Sequence, residues 1–301
     1  MELHERGCPI CGKEDTGREY YPAKLDESRL NAFAFASRKV PEYMHYRLLR
    51  CGDCDVLYAN PAPAPDTLVA GYEQAAYDSD VEATFAAETY AHYLVERVLP
   101  KLRHRQGAID IGTGNGAFLL ALLAQGFTNV CGVEPSAAPI AVAAPEIRPL
   151  IRRGVFRVTD FPESSFSLIS CFQTIEHVHD PFGLTKDVFS LLRPGGVAFF
   201  ASHNYRSLQA KILRGRSPIL DIEHLQLFSA KSLRRLFARA GFEQITVLPI
   251  VNRYPLSYWL RLLPLGIRPK QFLGDALERC HADRLPIPLR AGNLATFGLR
   301  P

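Results

Sequence analysis

A glycine-rich turn between a strand and a helix is the feature that most restricts the fold of this chain. The run Asp-Ile-Gly-Thr-Gly-Asn-Gly at 110–116 overlaps the end of the apolar segment 108–111 and opens a helical pattern over about 116–125. Glycines are favoured there because the turn is tight and a ligand must approach the backbone closely. The helix N-terminus then presents free N–H groups to polar ligand atoms. The turn therefore predicts a ligand site where a buried strand ends.

Strand and helix signals alternate along the rest of the chain, as in a parallel sheet covered by helices. The predicted strands are 108–111, 129–134, a weaker one within 150–156, 167–174, 197–202, 244–250 and 293–299. The predicted helices are 116–125, 136–143, 181–192 and 230–240, after a helical lead-in at 66–102. The run LLRPGG at 191–196 is expected to end a helix and turn the chain into the next strand. We therefore predict an α/β fold with a doubly wound, seven-stranded, mostly parallel, Rossmann-like sheet.

Two Cys-x-x-Cys pairs near the N-terminus predict a small metal-binding module. Each such turn points two thiolates at one point, and two turns complete a tetrahedral zinc site. The four expected ligands are Cys8, Cys11, Cys51 and Cys54. Four protein ligands leave no open coordination position, so the Zn²⁺ is expected to be structural, with free thiols as the alternative. Gly12 and Gly52 are expected to permit the tight turns.

The division into domains follows from composition. Residues 1–65 are assigned to the zinc-binding module, which ends in the proline-rich run NPAPAP at 60–65, interpreted as a stiff linker. Residues 66–301 are assigned to the ligand-binding domain, with its core at 103–202. Two segments of that domain, 203–230 and 251–292, are expected on the substrate side.

An acidic residue at the end of the second strand indicates that the ligand contains a ribose. Glu134 lies about 20 residues beyond the glycines, where a carboxylate accepts both ribose hydroxyls. The same segment also satisfies the dinucleotide-binding pattern GxGxxA, through Gly112, Gly114 and Ala117. NAD is therefore an alternative ligand. Three details favour S-adenosylmethionine: Asp110 precedes the first glycine, the second strand ends in VEPS, and the chain continues through QTIEHVHDP and LLRPGG.

The run from Asp110 to about Ser202 resembles the class I S-adenosylmethionine-dependent methyltransferases. DIGTGNG is similar to their first motif and GVEPS to their second, while FQTIEHVHDP and LLRPGG are similar to the segments around their fourth and fifth strands. The resemblance implies that the following residues bind the cofactor: Asp110, Gly112, Gly114, Gly116, Glu134, Pro135, Gln173 and Thr174. Among them, it assigns Asp110 to the methionyl end and Glu134 to the ribose.

Two positions depart from that family. Phe166-Ser167 stands where relatives carry an acidic residue before the fourth strand, and Gly154-Val155 stands where many carry Gly-Asp to hold the adenine. Asp160 is the substitute that we weigh for the adenine contact.

The order of zinc module, NPAPAP and tyrosine-rich helix start resembles bacterial sugar C-methyltransferases and related cell-envelope methyltransferases. In those enzymes a segment like EHxxxFS supplies a catalytic Glu-His pair, which Glu223 and His224 match. His177 matches their histidine after the fourth strand, and Tyr77 a substrate-side tyrosine. The structural alternative is that His224 only orders its loop while Ser229 caps the next helix.

Charge and hydropathy restrict the kind of acceptor and the cellular location that we expect. The net charge is +4, but twelve Lys or Arg stand against three acids between His203 and Lys270, which favours an anionic acceptor. No stretch reaches the ~18 apolar residues of a membrane span, and no signal sequence is visible, so a cytoplasmic location is expected. The leucine- and arginine-rich segment 252–269 is interpreted as a cover for the acceptor pocket, a peripheral membrane contact or ordinary packing.

The sequence thus predicts S-adenosylmethionine-dependent O- or C-methylation of a small acceptor. A sugar, a lipid-linked or a phosphorylated compound is expected, in cell-envelope glycan, lipid or secondary-metabolite synthesis. A zinc-module-containing RNA methyltransferase and a non-catalytic cofactor-binding scaffold stay open as alternatives, with nucleic acid the less favoured partner.

Overall fold

The computed structural model describes residues 2–26, 42–77, 79–263 and 265–301. Residues 27–41 of the predicted 1–65 module, and Pro264 of the predicted substrate-side segment, lie outside the described residues. No helix within these ranges has the length and apolar character needed to cross a lipid bilayer.

The strands of the described residues fall into one large sheet and several small ones. In chain order they are β1 (Leu3–His4), β2 (Gly17–Tyr21), β3 (Leu48–Cys51), β4 (Leu57–Ala59), β5 (Ala62–Pro63), β6 (Gln106–Ile111), β7 (Thr128–Glu134), β8 (Ile151–Arg153), β9 (Phe166–Phe172), β10 (Leu192–His203), β11 (Gln226–Leu227), β12 (Glu243–Pro249), β13 (Asn252–Pro255), β14 (Pro286–Leu289) and β15 (Asn293–Leu299). Seven of them form the central sheet, in the spatial order β12-β15-β10-β9-β6-β7-β8. β15 is antiparallel to both neighbours, while the pairs from β10 to β8 are parallel, so the predicted sheet is confirmed.

Helices cover both faces of this sheet. In chain order they are α1 (Pro65–Glu73), α2 (Asp80–Tyr93), α3 (Ala117–Ala124), α4 (Ala137–Ala141), α5 (Pro181–Leu191), α6 (Leu208–Leu213), α7 (Ala230–Ala240), α8 (Leu256–Leu262) and α9 (Ile267–Arg279). Local chemistry explains the best-defined ends: Asp180 accepts a hydrogen bond from Gly183 N at the start of α5, and Ser229 forms a capping box at the start of α7. Two apolar layers, one on each face of the sheet, form the core.

Three local expectations need correction. The lead-in at 66–102 contains two α-helices, α1 and α2, with non-helical residues at 74–77 and 79 between them, followed by a π-helical turn at Leu94–Val98 and a 3₁₀ turn at Leu99–Lys101. The proline-rich run at 60–65 is more than a linker, because buried Ala62 and Pro63 pair with β1. The run LLRPGG ends α5 at Leu191 as expected, but its other residues already belong to β10, whose pairing with β9 is irregular between Leu192 and Val197.

The cysteine-bearing N-terminal segment is continuous with the rest of the fold. Its strands β2, β3 and β4 form a four-stranded sheet whose last member is β11, a strand from the predicted substrate-side segment. Cys8, Cys51 and Cys54 belong to the same buried cluster as Phe200 of β10 and Phe228 after β11. The boundary at residue 65 stays a prediction, and apolar packing and hydrogen-bonded strands cross it.

The register of the central strands brings the predicted ligand residues to one edge. Asp110 of β6 is opposite Gly132 of β7 on one side and Ser170 of β9 on the other. The strands are parallel, so the residues that follow them emerge at the same carboxyl edge, where open α/β sheets bind ligands.

Candidate active site

One cavity of about 600 Å³ runs along the carboxyl edge of the sheet. The glycine turn lines one end, and three histidines with an acidic neighbour line the other: His177, His203, Glu223 and His224. α1, α2 and α8 also contribute to the walls, together with Ala291 and Asn293. The two groups of residues that the sequence predicted as cofactor-binding and catalytic therefore share one continuous space.

The glycine turn is pinned to the end of β7 and leaves room for a ligand. The N–H groups of Gly112 and Thr113 donate to Val133 O at 2.9 and 3.1 Å. Gly112 has φ +73°, and a Cβ there would lie 2.1 Å from Thr174 Oγ1, so only glycine fits. Gly114 has φ +58° with no atom within 4 Å of a Cβ position, which places open space beside its backbone.

Gly116 differs from the other predicted cofactor residues. It is absent from the residues that line the cavity, and a Cβ on it would meet Ile147 Cγ2 at 2.5 Å. Its left-handed backbone starts α3, so its glycine is explained by close packing. The remaining predicted cofactor residues all line the cavity: Asp110, Gly112, Gly114, Glu134, Pro135, Gln173 and Thr174.

Two buried carboxyl groups face the glycine end. Glu134, which is 8% exposed, accepts hydrogen bonds of 2.9 Å from the N–H groups of Gly114 and Ser136. Asp110, which is 3% exposed, accepts a 2.6 Å hydrogen bond from Ser170 Oγ. Burial raises the pKa of Glu134 to about 7 and that of Asp110 to about 6, because a charge is poorly solvated there.

Gln173 supplies an unsatisfied polar group in the middle of the cavity. It follows β9 with φ +50°, and neither Oε1 nor Nε2 of its buried amide has a hydrogen-bond partner among the described residues. Leaving such a group unpaired costs about 1–3 kcal/mol. Thr174, by contrast, is satisfied locally, since its Oγ1 donates to Phe172 O at 3.0 Å. A polar ligand atom beside Gln173 would remove that cost.

His177, His203 and His224 form a histidine cluster, in which the rings are tilted or edge-on to one another. The ring of His224 lies 4.9 Å from the ring of His177 and 4.9 Å from that of His203, measured between centroids. His224 Nδ1 lies 2.9 Å from the carbonyl oxygen of Ile219, which only accepts, so Nδ1 carries the proton and Nε2 is left as the acceptor. His224 Nε2 is 3.7 Å from Glu223 Oε1. This arrangement gives His224 the tautomer that a general base needs.

His177 is held from two sides. Its Nδ1 lies 2.9 Å from the hydroxyl of Tyr72 and 3.1 Å from the carbonyl oxygen of Glu223. Tyr72 of α1 also donates to that carbonyl at 3.2 Å. Sequence reasoning noticed Tyr72 only as part of a helix start and emphasised Tyr77, which also lines the cavity.

Glu176, to which the sequence analysis gave no role, lies against His203, which follows the fifth strand of the predicted sheet. Glu176 is 0% exposed, and its Oε1 accepts from His203 N at 2.6 Å. Burial raises the pKa of Glu176 to about 8 and lowers that of His203 to about 4, so both groups are neutral near pH 7. His203 Nδ1 lies 2.9 Å from Asn293 Oδ1. The signal that was available is the Glu-His pair at 176–177 directly after a buried strand.

The adenine expectation is wrong for Asp160. That residue is exposed and does not line the cavity, and its carbonyl oxygen accepts from Arg152 Nη1 at 3.3 Å. Val155 and Phe156 line the cavity instead. An adenine against these two residues would meet an aromatic ring and an aliphatic side chain.

The four cysteines converge as predicted. Their sulfur atoms all lie within 4.8 Å of one another, and Cys11 Sγ is 3.8 Å from Cys51 Sγ. Tetrahedral zinc with Zn–S bonds of about 2.3 Å places sulfurs about 3.8 Å apart. All seven cysteines of the chain are free of disulfides. The donor set and spacing fit Zn²⁺.

The backbone of the two cysteine turns corrects one glycine assignment. Gly12 follows the first pair with φ +75°, as expected. Asp55, with φ +60°, holds the corresponding position after the second pair, whereas Gly52 is not among the residues with positive φ. The Asp55 carboxylate accepts from Tyr205 hydroxyl and from Arg206 Nε at 2.7 Å each, which ties the cysteine turn to the segment after β10.

Arg6 joins the same N-terminal segment to the histidine loop. Its Nη1 donates to His179 O at 2.9 Å, and its Nη2 donates to Gln226 Oε1 at 2.9 Å. Gln226 Nε2 in turn donates to Ile175 O and Val178 O at 2.7 and 2.8 Å. The loop that carries His177 therefore depends on the N-terminal segment for its position.

Comparison with known proteins supplies the family. The methyltransferase domain family matches residues 83–247, which is more than half of the chain. A Mycolicibacterium smegmatis protein described as a "Probable S-adenosylmethionine-dependent methyltransferase" is 32% identical over 164 residues, covering 52% of this chain and 61% of that protein. A ubiquinone biosynthesis O-methyltransferase of Actinobacillus pleuropneumoniae is 32% identical over 115 residues, covering 35% and 48%. The chain thus spans about half to three-fifths of the length of these relatives.

A solved structure supports the fold. The phosphoethanolamine N-methyltransferase 2 of Haemonchus contortus, in complex with S-adenosyl-L-methionine, superposes with a TM-score of 0.50 at 16% identity. The superposition covers 81% of this chain and 62% of that one.

Proposed function

The chain belongs to the methyltransferase domain family, and we propose that it transfers a methyl group from S-adenosylmethionine to oxygen or carbon of a small acceptor. One observation carries the proposal: one cavity joins two buried carboxyl groups and the glycine turn to the histidine cluster. The cofactor would supply an electrophilic methyl group: the acceptor oxygen or carbon bonds to it as its bond to sulfur breaks, and S-adenosylhomocysteine leaves. The protein has to align the two reactants and remove a proton from the acceptor.

The cofactor end offers groups of the right chemistry. Glu134 is proposed to accept the ribose hydroxyls and Asp110 to accept the cationic amino group. The turn at Gly112 and Gly114 allows close approach, and Pro135 forms the adjoining wall. Gln173 and Thr174 are proposed to lie beside the transferable methyl, and the unpartnered amide of Gln173 supports a polar ligand there.

The acceptor end offers a base and its supports. His224 is proposed to take the acceptor proton on Nε2, because Nδ1–H is already donated to Ile219 O. Glu223 is proposed to stabilise the resulting imidazolium, since its carboxylate lies 3.7 Å from Nε2. His177, held by Tyr72, is proposed to orient the acceptor.

Replacement of the base tests that assignment. We expect His224→Gln to lower turnover about 10²–10⁴-fold, which is the range of general acid–base catalysis, while the affinity for S-adenosylhomocysteine stays close to that of the wild type. The affinity is measured by calorimetry and the turnover by transfer of tritium from methyl-labelled S-adenosylmethionine. His104→Gln, at an exposed position, is the control. Equal turnover in both variants would assign His224 to loop structure alone.

Cofactor affinity is expected to depend on pH through Glu134 and Asp110. Burial raises both pKa values, so the empty site holds protons that must leave when hydroxyl and ammonium donors bind the carboxylates. Affinity for S-adenosylhomocysteine should therefore fall by about tenfold or more between about pH 8 and about pH 5.5. Calorimetry in buffers of different ionisation enthalpy should detect proton release near pH 6.5. A flat pH profile contradicts the assigned contacts.

Methyl transfer itself is tested with an unfractionated acceptor pool. Purified protein, methyl-labelled S-adenosylmethionine and the small-molecule fraction of a bacterial extract should give labelled product, whereas an RNA fraction should not. The small-acceptor proposal is overturned if only the RNA fraction becomes labelled. It is also overturned if neither fraction becomes labelled although the protein binds the cofactor.

We also propose that Cys8, Cys11, Cys51 and Cys54 hold a structural Zn²⁺.

Two features favour a sugar, lipid-linked or phosphorylated acceptor of cell-envelope or secondary metabolism. One is the similarity of the N-terminal module to that of sugar C-methyltransferases, and the other is the excess of positive charge between His203 and Lys270.

A further inference from the structure

Two consecutive helices, α8 and α9, have no fully buried side chain among their described residues. α8 packs Tyr258 and Trp259 against the core, whereas no described side chain of the thirteen-residue α9 belongs to a core cluster. Helices in proteins gain most of their stability from packing an apolar face. α9 nevertheless exposes Phe272 by 72%, the largest exposure of any large apolar side chain in the described ranges.

Neighbouring elements extend this exposed apolar face. Leu208 and Ile212, one turn apart on α6, are each 69% exposed, and Leu285 beside β14 is 53% exposed. Of the fifteen large apolar side chains that are exposed in the described part of the chain, eight belong to α6, the α8–α9 segment and the β14 segment. We call the surface formed by the exposed side chains of α6, α9, the α8–α9 connection and the β14 segment the cap surface.

Hydrogen bonds make the cap surface one unit. Gln209 of α6 donates to Arg290 O, beyond β14, and Trp259 Nε1 of α8 donates to Ile287 O of β14 at 3.0 Å. Lys270 Nζ of α9 donates to Arg261 O of α8 at 2.6 Å. The apolar residues are therefore parts of one surface and are not scattered independently, which distinguishes a docking site from ordinary exposure.

The charge around the cap surface identifies its partner. Residues 208–216 and 251–290 contain eight exposed Lys or Arg and two exposed acids among the described side chains. Exposed apolar side chains surrounded by basic ones match the boundary between acyl chains and anionic headgroups. We propose that the cap surface docks on a lipid bilayer that carries anionic headgroups.

Docking would place the cavity close to the bilayer. Tyr258, Trp259 and Leu262 line the cavity, and they belong to α8, which is hydrogen-bonded to both α9 and β14 of the cap surface. An acceptor with a lipid tail would enter from the membrane. This consequence rests on the proposed methyl transfer, whereas docking itself does not.

Vesicle binding tests the docking without cofactor or acceptor, so its outcome is independent of the enzymatic proposal. The full chain should co-float with vesicles of phosphatidylcholine and phosphatidylglycerol, and at least about tenfold less with phosphatidylcholine alone. Ile212→Ser with Phe272→Ser should lower binding at least about tenfold, because two apolar anchors are lost. Val81→Ser with Val142→Ser, at exposed apolar positions on other elements, should bind like the wild type.

Charge reversal and light scattering complete the test. Arg268→Glu with Arg284→Glu should abolish the preference for phosphatidylglycerol, whereas Arg157→Glu, also exposed, should keep it. Melting temperatures of all variants identify any that fail to fold. The proposal is overturned if the wild type does not bind vesicles, or if it binds both lipid compositions equally. It is also overturned if light scattering shows a wild-type dimer that Ile212→Ser with Phe272→Ser converts to a monomer, because a second copy of the chain would then occupy this surface.

Discussion

Cys51→Ser protein is expected to lose its zinc and to melt at least about 10 °C below the wild type. Structural zinc sites contribute about 10–16 kcal/mol of apparent binding energy in small domains, which equals or exceeds the 5–15 kcal/mol stability of a typical fold. Cys51 is fully buried in β3 and packs in the same cluster as Phe200 of the central sheet. Loss of the ion should therefore weaken both the N-terminal sheet and the sheet behind it.

The matched control is Cys280→Ser, because that thiol is exposed and far from the cysteine cluster in sequence. It should keep one zinc ion per chain by atomic absorption and the wild-type melting curve. Wild-type protein without zinc, or a Cys51→Ser variant with unchanged metal content and melting temperature, would show that the four thiols are only a buried cluster.

Glu134→Ala is the second prediction with a large expected effect. The variant should bind S-adenosylhomocysteine at least about 100-fold more weakly, because hydrogen bonds to a charged group contribute about 1.5–3 kcal/mol each and two are proposed. The carboxylate is already oriented by the N–H groups of Gly114 and Ser136, so no other side chain can take its place without moving the turn.

Glu163→Ala is the control for a lost carboxylate, since Glu163 is exposed. Its affinity should equal that of the wild type in the same calorimetric titration. If Glu134→Ala bound S-adenosylhomocysteine almost as tightly as the wild type does, Glu134 would not contact the cofactor. The acidic residue at the end of β7 would then no longer indicate a ribose-binding site.

Elements with chemical signals at both ends were predictable from sequence. The helix expected at 230–240 is α7, with Ser229 capping its start and Gly241 ending it in the left-handed conformation. The strand expected at 167–174 ends two residues early, at Phe172, because Gln173 adopts φ +50°. The hydrophobic periodicity of the sequence does not predict this backbone conformation of Gln173. The conformation matters for the site, because it leaves the side-chain amide of Gln173 buried in the cavity.

Contacts between distant segments were beyond sequence reasoning. β11 has two residues, too few for a period-2 pattern, and its pairing with β4 joins the N-terminal sheet to the loop that carries Glu223 and His224. The approach of His203 to His224 depends on the parallel register of β10 with β9 and on that loop together. The sequence therefore identified most residues of the site, but only the structure shows which of them lie close together.

Calorimetric titration of wild-type protein with S-adenosylhomocysteine and with NAD tests the central claim most directly. The account predicts one site per chain for S-adenosylhomocysteine, lost in Glu134→Ala, and no heat with NAD. Saturable binding of NAD, with no heat from S-adenosylhomocysteine or S-adenosylmethionine, would contradict it.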